Sequence, residues 1–158
     1  MKNLFTINVL LAIIWSALTG IFSPENLGVG FLLGFFMLWT LQAVYGKKRY
    51  FSRAFKVLSL VVYFLIQLFK ANLRVAMDIV TARHYMVPGI IKLPLDARTD
   101  LEITLLANLI SLTPGTLSLD VTQDKRFLVI HAMYVENVQD FKHDLKNGFE
   151  KRLLEVLR

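Results

Sequence analysis

Cysteine is absent from the 158 residues, which excludes structural disulfides, thiolate metal sites and dithiol redox chemistry. The three histidines, His84, His131 and His143, share no ligand spacing. There is no glycine-rich phosphate loop, Gly-x-Ser-x-Gly elbow, His-Glu-x-x-His pair or EF-hand loop, so the usual signatures of nucleotide, hydrolase, zinc and calcium chemistry are missing. Charge is the scarcest feature of the N-terminal part, where residues 4–22 and 27–45 contain no Asp, Glu, Lys, Arg or His. Ion and proton paths through lipid are marked by such groups, so this chain alone is expected to move no ions. Asp120, Asp124 and His131 come nearest to an acid/base set, but they surround an ordinary hairpin with no sign of a cleft. No catalytic, cofactor-binding or metal-binding residue is expected, and the chain reads as a non-enzyme.

What the sequence does have is apolar length. A chain that is 55% hydrophobic exceeds the usual composition of a soluble domain. The run 4–22 would span roughly 28 Å as a helix at ~1.5 Å per residue, close to the thickness of a bilayer core. The run 27–45 is equally long, and Ser23-Pro24-Glu25-Asn26 lies between them as a polar turn. The pair reads as a transmembrane hairpin over residues 1–46, its first span a retained anchor because no small-x-small cleavage site follows it. Small residues recur at Ala12, Ser16 and Gly20 and at Gly30 and Gly34. Such stripes let helix backbones approach closely, and two roles are open to them, sealing the hairpin or docking other subunits. Asn8, Thr19, Thr40 and Gln42 are expected to bond between helices.

The positive charge is concentrated in residues 47–86. Lys47, Lys48, Arg49, Arg53 and Lys56 follow the hairpin, and Lys70, Arg74 and Arg83 follow them against Asp78 alone. By the positive-inside rule this basic junction puts both hairpin ends in the cytoplasm, and the first five bases are candidate contacts for anionic lipid. The downstream half is nearly neutral, which argues against nucleic acid. The apolar run 57–69 is too short to cross a bilayer. Extended to Val80 it becomes amphipathic, in the manner of a helix lying along the inner leaflet, with a third span as the rival reading.

Residues 87–158 read as a small cytoplasmic α+β domain of order βαββα, with a three-stranded sheet, both helices on one face and a right-handed crossover between its first two strands. Val87-Pro88-Gly89 breaks the preceding helix, and residues 90–95 form the first strand. Thr99 and Glu102 make a capping box for a helix reaching about Leu112. Its only polar side chains after the first turn, Thr104, Asn108 and Ser111, form one narrow stripe, so the helix wants cover from the sheet and terminal helix, or in part from a neighbouring subunit. Thr113-Pro114-Gly115-Thr116 is a structural turn, with proline where φ is fixed and glycine where φ is positive. A strand alternates through Leu117, Leu119 and Val121. The nearly continuous apolar run 127–135 predicts a central strand covered on both faces, with His131 as a core or interface residue. Asn137 caps the last helix, whose Val138, Phe141, Leu145, Phe149, Leu153 and Val156 share a stripe. Gly148 weakens its middle, and Lys146, Glu150, Lys151 and Arg152 are expected on a solvated face.

The run from Asn108 to Asp120, the segment 127–135 with its His131-Ala132-Met133, and Phe149-Glu150-Lys151-Arg152-Leu153-Leu154-Glu155-Val156 together resemble the E-type subunits of the Mrp-type multi-subunit monovalent cation/proton antiporters of prokaryotes. The resemblance covers the whole chain, including the apolar segments and the basic junction. It implies a non-catalytic accessory subunit that supports assembly and stability of a complex serving sodium efflux and alkaline pH homeostasis. The implied partners are the other antiporter subunits, which Phe149, Glu150 and Arg152 would help to contact. An independent peripheral module that binds anionic lipid or a partner protein is the alternative.

Overall fold

Pro24 begins a helix instead of sitting in the turn ahead of it. The computed structural model describes residues 2–45, 49–81 and 86–158, and in it α1 spans Lys2–Thr19 and α2 spans Pro24–Tyr45. Proline suits the first helical position because its missing N–H would have no intrahelical acceptor there. Ser23 is the cap, its Oγ accepting from Asn26 N at 3.2 Å. The turn therefore lies at residues 20–23, not 23–26. Gly20, with φ +69°, supplies the left-handed residue that ends α1. Asn26 braces the turn by donating to Thr19 Oγ1 and Ile21 O, both at 2.6 Å, and by accepting from Trp15 Nε1 at 3.1 Å.

The hairpin belongs to the first of two compact units, Met1–Phe55. Its seam is built from small residues. A Cβ on Gly30 would lie 3.0 Å from Ala12 Cα, and one on Gly34 would strike Asn8 Oδ1. Ala12, Asn8 and Ser16 are buried, whereas Phe5, Leu10, Ile14, Leu18, Leu32 and Phe36 are exposed on the outside. Of the polar residues expected to bond between helices, Thr19 does so through Asn26. Thr40 donates to Met37 O in its own helix, and the Asn8 amide makes no hydrogen bond among the described residues.

The second unit is Lys56–Arg158 and begins inside α3, Arg49–Val80. By length and apolar composition, Pro24–Leu41 of α2 and Ser52–Val80 of α3 are long enough to cross a membrane, and Leu4–Thr19 of α1 is shorter. α3 has two faces. Leu60, Tyr63 and Phe64 pack on the core of the following domain, while Leu58, Val62, Leu65, Ile66, Phe69 and Met77 stay exposed.

The sheet that follows has order β1-β3-β2, with β1 at Gly89–Pro94, β2 at Thr116–Val121 and β3 at Phe127–Ala132. Both neighbours run antiparallel to β3, and β2 carries an irregularity between Ser118 and Asp120. The helix α4, Asp100–Ser111, connects β1 to β2. Its capping box is complete, with Glu102 N donating to Thr99 Oγ1 at 3.2 Å and Thr99 N to Glu102 Oε2 at 3.2 Å. Leu93, Leu128 and Ile130 from the sheet meet Leu106 and Ile110 of α4 and Leu145, Phe149 and Leu153 of the C-terminal helix in one core.

β3 is central but covered on one face only, which corrects the expectation of cover on both. Leu128, Ile130 and Ala132 point into the core, while Phe127, Val129 and His131 point away. The outer face also shows Ile90 at 70% and Leu117 at 50% exposure, which flank His131 across the ladders. β3 also ends earlier than Val135, because Met133 N turns to Gly115 O at 2.8 Å.

The C-terminal helix starts at Asn137, whose Oδ1 accepts from Gln139 N at 2.8 Å. It is interrupted: α5, Val138–Leu145, passes through a π-helical turn, Lys146–Glu150, into α6, Lys151–Leu157. Gly148 in that turn faces Tyr63 of α3, whose Cζ is 2.7 Å from where a Cβ would be.

Candidate functional site

The turn between α4 and β2 completes the end of a helix. Thr116 N donates to Thr113 O at 3.1 Å, and Gly115 has φ +86°, as a type II turn requires. The last carbonyls of a helix lack intrahelical partners. Here Thr113 Oγ1 donates to Leu109 O at 3.1 Å and Thr116 Oγ1 to Ile110 O at 2.5 Å.

Three elements converge on Tyr134, just after β3. Its ring lies 3.2 Å from the position a Cβ on Gly115 would take. Its hydroxyl donates to Asp78 Oδ2 of α3 at 2.5 Å, and the Arg74 guanidinium sits 5.2 Å from the ring centroid. Donation to the Asp78 carboxylate, and secondarily burial, raises the Tyr134 pKa above its ordinary value. The phenol therefore stays protonated at neutral pH and serves as a tether, not as a proton carrier. Beside it, α3, the turn and α5 enclose a cavity of about 190 Å³.

Two buried carboxylates hold the opposite end of the domain. Glu150 is 1% exposed and accepts from Asp96 N at 2.6 Å and Ala97 N at 3.0 Å through Oε1. Among the described residues its Oε2 has only the ion pair with Lys146, at 3.2 Å. Lys146 also meets Asp96 at 2.8 Å. Burial disfavours that ammonium, yet its bonds to Asp96 and Glu150 leave its pKa raised. Glu150 and Lys146 are thus no part of a solvated face, because the loop after β1 carries backbone N–H groups that need an acceptor. Glu102 is the second such group. Arg158 grips it at 3.0 and 3.2 Å, Arg98 N donates at 2.8 Å, and its pKa is lowered to about 2, the Arg158 bond being the largest cause.

The remaining candidates fall in separate places. Ala12, Ser16, Gly30 and Gly34 line the seam between α1 and α2. Gly20 leaves the stripe for the turn, with nothing within 4 Å of a Cβ there. Thr104 and Asn108 are exposed on α4, while Ser111 is used internally, its Oγ accepting from Ser118 N at 3.0 Å. Lys47 and Lys48 lie outside the described residues, Arg49 is the first residue of α3, and Lys56 is exposed on that helix while Arg53 is half-buried. Arg152 reaches back over Tyr63, 4.2 Å from its ring centroid, and Phe149 is a core residue. No group of three potential metal-ligating His, Asp or Glu side chains occurs among the described residues.

The described residues form an apolar helical hairpin and a small α+β domain braced on a long amphipathic helix, and two of these helices are long and apolar enough to cross a membrane. The model of a Na+/H+ ion antiporter subunit family matches residues 8–156, and the chain belongs to that family. Two E-type Na(+)/H(+) antiporter subunits are similar over nearly their whole length. That of Alkalihalophilus pseudofirmus is 33% identical over 96% of both chains, and that of Bacillus subtilis is 32% identical over 96% of both. Among solved structures, a chain of the Mrp complex from Dietzia is 29% identical, with a TM-score of 0.50, over 62% of this chain and 92% of that one. A chain of the membrane-bound sulfane sulfur reductase, an archaeal respiratory membrane complex, is 26% identical. It matches with a TM-score of 0.56 over 97% of this chain and 98% of that one.

Proposed function

We propose that the chain is a non-catalytic accessory subunit that supports assembly and stability of an Mrp-type antiporter, and through it sodium efflux and alkaline pH homeostasis. The observation that carries this reading is the division of apolar surface. The hairpin seals its own seam with Ala12, Ser16, Gly30 and Gly34 and turns large side chains outward. The outer faces are then left for lipid and for neighbouring subunits, with Lys47, Lys48, Arg49, Arg53 and Lys56 at the anionic leaflet. The open sheet face around His131, and Thr104 and Asn108 on α4, are further surfaces for other subunits.

In this reading α3 lies along the inner leaflet and does not cross it. The support is its attachment to the domain from Leu60 to Asp78. A crossing helix bound in that way would drag the domain's ion pairs to acyl depth, where unsatisfied polar groups cost several kcal/mol each. The domain is then cytoplasmic. Expressing the other subunits with and without this chain tests the assignment. The amount of intact complex on a native gel should fall without the chain. Transport per intact complex should stay the same. A full yield of complex with transport abolished would show that the chain takes part in ion movement directly.

A further inference from the structure

The cavity beside Tyr134 has a charged rim and an apolar floor, and nothing in an assembly role calls for that combination. Lys70 and Arg74 line one side, Asp144 another, and Ile110, Leu145 and Phe149 form the buried floor. Among the described residues neither Lys70 nor Arg74 is ion-paired. Asp78, four residues from Arg74, is engaged by Tyr134 instead. The charged side chains that line the cavity, Lys70, Arg74 and Asp144, sum to one positive charge, while Asp78, which accepts from Tyr134 and is not part of the lining, keeps its own negative charge. The helical repeat of 3.6 residues sets Lys70 and Arg74 on the border between the face of α3 packed on the domain and the face bearing Ile66, Phe69 and Met77. That border is where long cationic side chains reach headgroup level when a helix lies in an interface. The volume of about 190 Å³ is comparable to an engineered apolar cavity of about 150 Å³ that takes up benzene, so it admits an acyl segment of about six carbons.

We propose that this cavity binds an anionic phospholipid, its phosphate held between Lys70 and Arg74 and the start of one acyl chain resting on Ile110, Leu145 and Phe149. The site rests on the placement of α3 at the inner leaflet, and it would lock that helix, the turn and the membrane together.

The test uses the full chain in phosphatidylcholine nanodiscs doped with phosphatidylglycerol, with native mass spectrometry counting the lipid retained per chain. One phosphatidylglycerol should be kept in preference to phosphatidylcholine. The double variant Lys70→Gln/Arg74→Gln should weaken retention about tenfold or more, and Ala71→Leu, which fills the cavity wall without changing charge, should do the same. Lys92→Gln/Lys151→Gln, at two exposed lysines elsewhere on the domain, should leave retention unchanged. Equal loss in that control would overturn the site in favour of general surface charge, as would unchanged retention in both cavity variants. Displacement by inorganic phosphate at equal concentration would identify a free-anion site and overturn the lipid. Impermeant labelling of Arg98→Cys reports the placement of the domain separately. A domain on the cytoplasmic side with no retained lipid therefore refutes the site alone.

Discussion

The phenol of Tyr63 occupies the space that a side chain on Gly148 would need. Its Cζ lies 2.7 Å from that Cβ position, and the same ring packs edge-on against Phe149 at 5.2 Å and under the Arg152 guanidinium at 4.2 Å. The π-helical turn Lys146–Glu150 sits at this contact, where such bulges commonly mark special sites. Gly148 therefore acts as a seat for α3 in addition to weakening a helix. Gly148→Ala should destabilise the α3–domain contact by ~1 to 3 kcal/mol, the range for overpacking. Combining it with Tyr63→Leu should recover part of the loss, giving a non-additive cycle. Proteolysis of α3 in the purified chain measures both, and additive effects would show that the two residues do not meet.

The Glu102 and Arg158 pair fixes the C-terminus to the start of α4, and its pH dependence has a definite sign. A carboxylate lowered from 4.5 to about 2 on folding contributes stability that is fully present above pH 4.5. That stability is lost as pH falls towards 2. Arg158→Gln removes the largest cause of the shift, so the variant's stability should become less sensitive to acid across this window. Unfolding monitored by circular dichroism between pH 6 and 3, numbers chosen to bracket roughly the ordinary carboxylate range, should bring the two curves together as pH falls.

Glu150 presents the opposite electrostatic case, a nearly inaccessible carboxylate whose Oε1 receives two backbone N–H groups. Glu150→Ala would leave Asp96 N and Ala97 N without their acceptor and Lys146 with Asp96 and the Pro94 carbonyl. A loss of ~3 to 5 kcal/mol is expected for breaking such a buried pair, and Glu150→Gln should lose less because its amide oxygen still accepts. Thermal unfolding of the two variants checks the order, and equal losses would assign the role to charge alone.

These residues also show what a sequence can and cannot convey. The capping box of Thr99 and Glu102, the cap at Asn137 and the Pro114-Gly115 turn are local, and each is readable because its partners lie within a few positions. A three-stranded sheet with helices is readable from periodicity, and the apolar composition of residues 127–135 points to the middle strand. The second use of Glu102, by Arg158, spans 56 residues, and the bonds from Glu150 to the loop after β1 span 54 and 53. No spacing rule reaches that far, so Glu150 on a polar helix resembles a solvated residue. The face of β3 bearing Val129 and His131 is a different kind of miss. Apolar composition indicates that something covers a strand, but not whether the cover comes from the same chain. Gly20 fits the small-residue stripe by spacing, yet as the last small residue before a turn it has an equally local explanation as a helix stop.

Topology follows from the proposed position of α3. A cysteine introduced at Arg98 or Asp124 should resist an impermeant maleimide in intact cells and react once the cells are opened. One introduced at Phe69, on the exposed apolar face of α3, should react poorly in both conditions because lipid covers it. Labelling of position 98 from outside would place the domain on the far side and make α3 a third span.

The last prediction concerns Gly115, where conformation and space both favour glycine. Its φ of +86° is a left-handed value that β-branched residues rarely adopt, and a Cβ there would come within 3.2 Å of the Tyr134 ring. Gly115→Val should cost ~1 to 3 kcal/mol in backbone strain and press on the ring that tethers β3 to Asp78. A small domain has little stability to spare, so the amount of assembled complex should fall. The turn's own hydroxyls donate to helix carbonyls and the Tyr134 phenol donates to a carboxylate, and none of these donors releases a proton at neutral pH. Antiport in vesicles should therefore drop in proportion to the complex lost, while the apparent cation affinity of the surviving complex stays unchanged. Transport normalised to intact complex on a native gel is the measurement. A sharp fall in normalised activity with the complex whole would mean that the turn takes part in transport itself, through its contact with Tyr134 and α3.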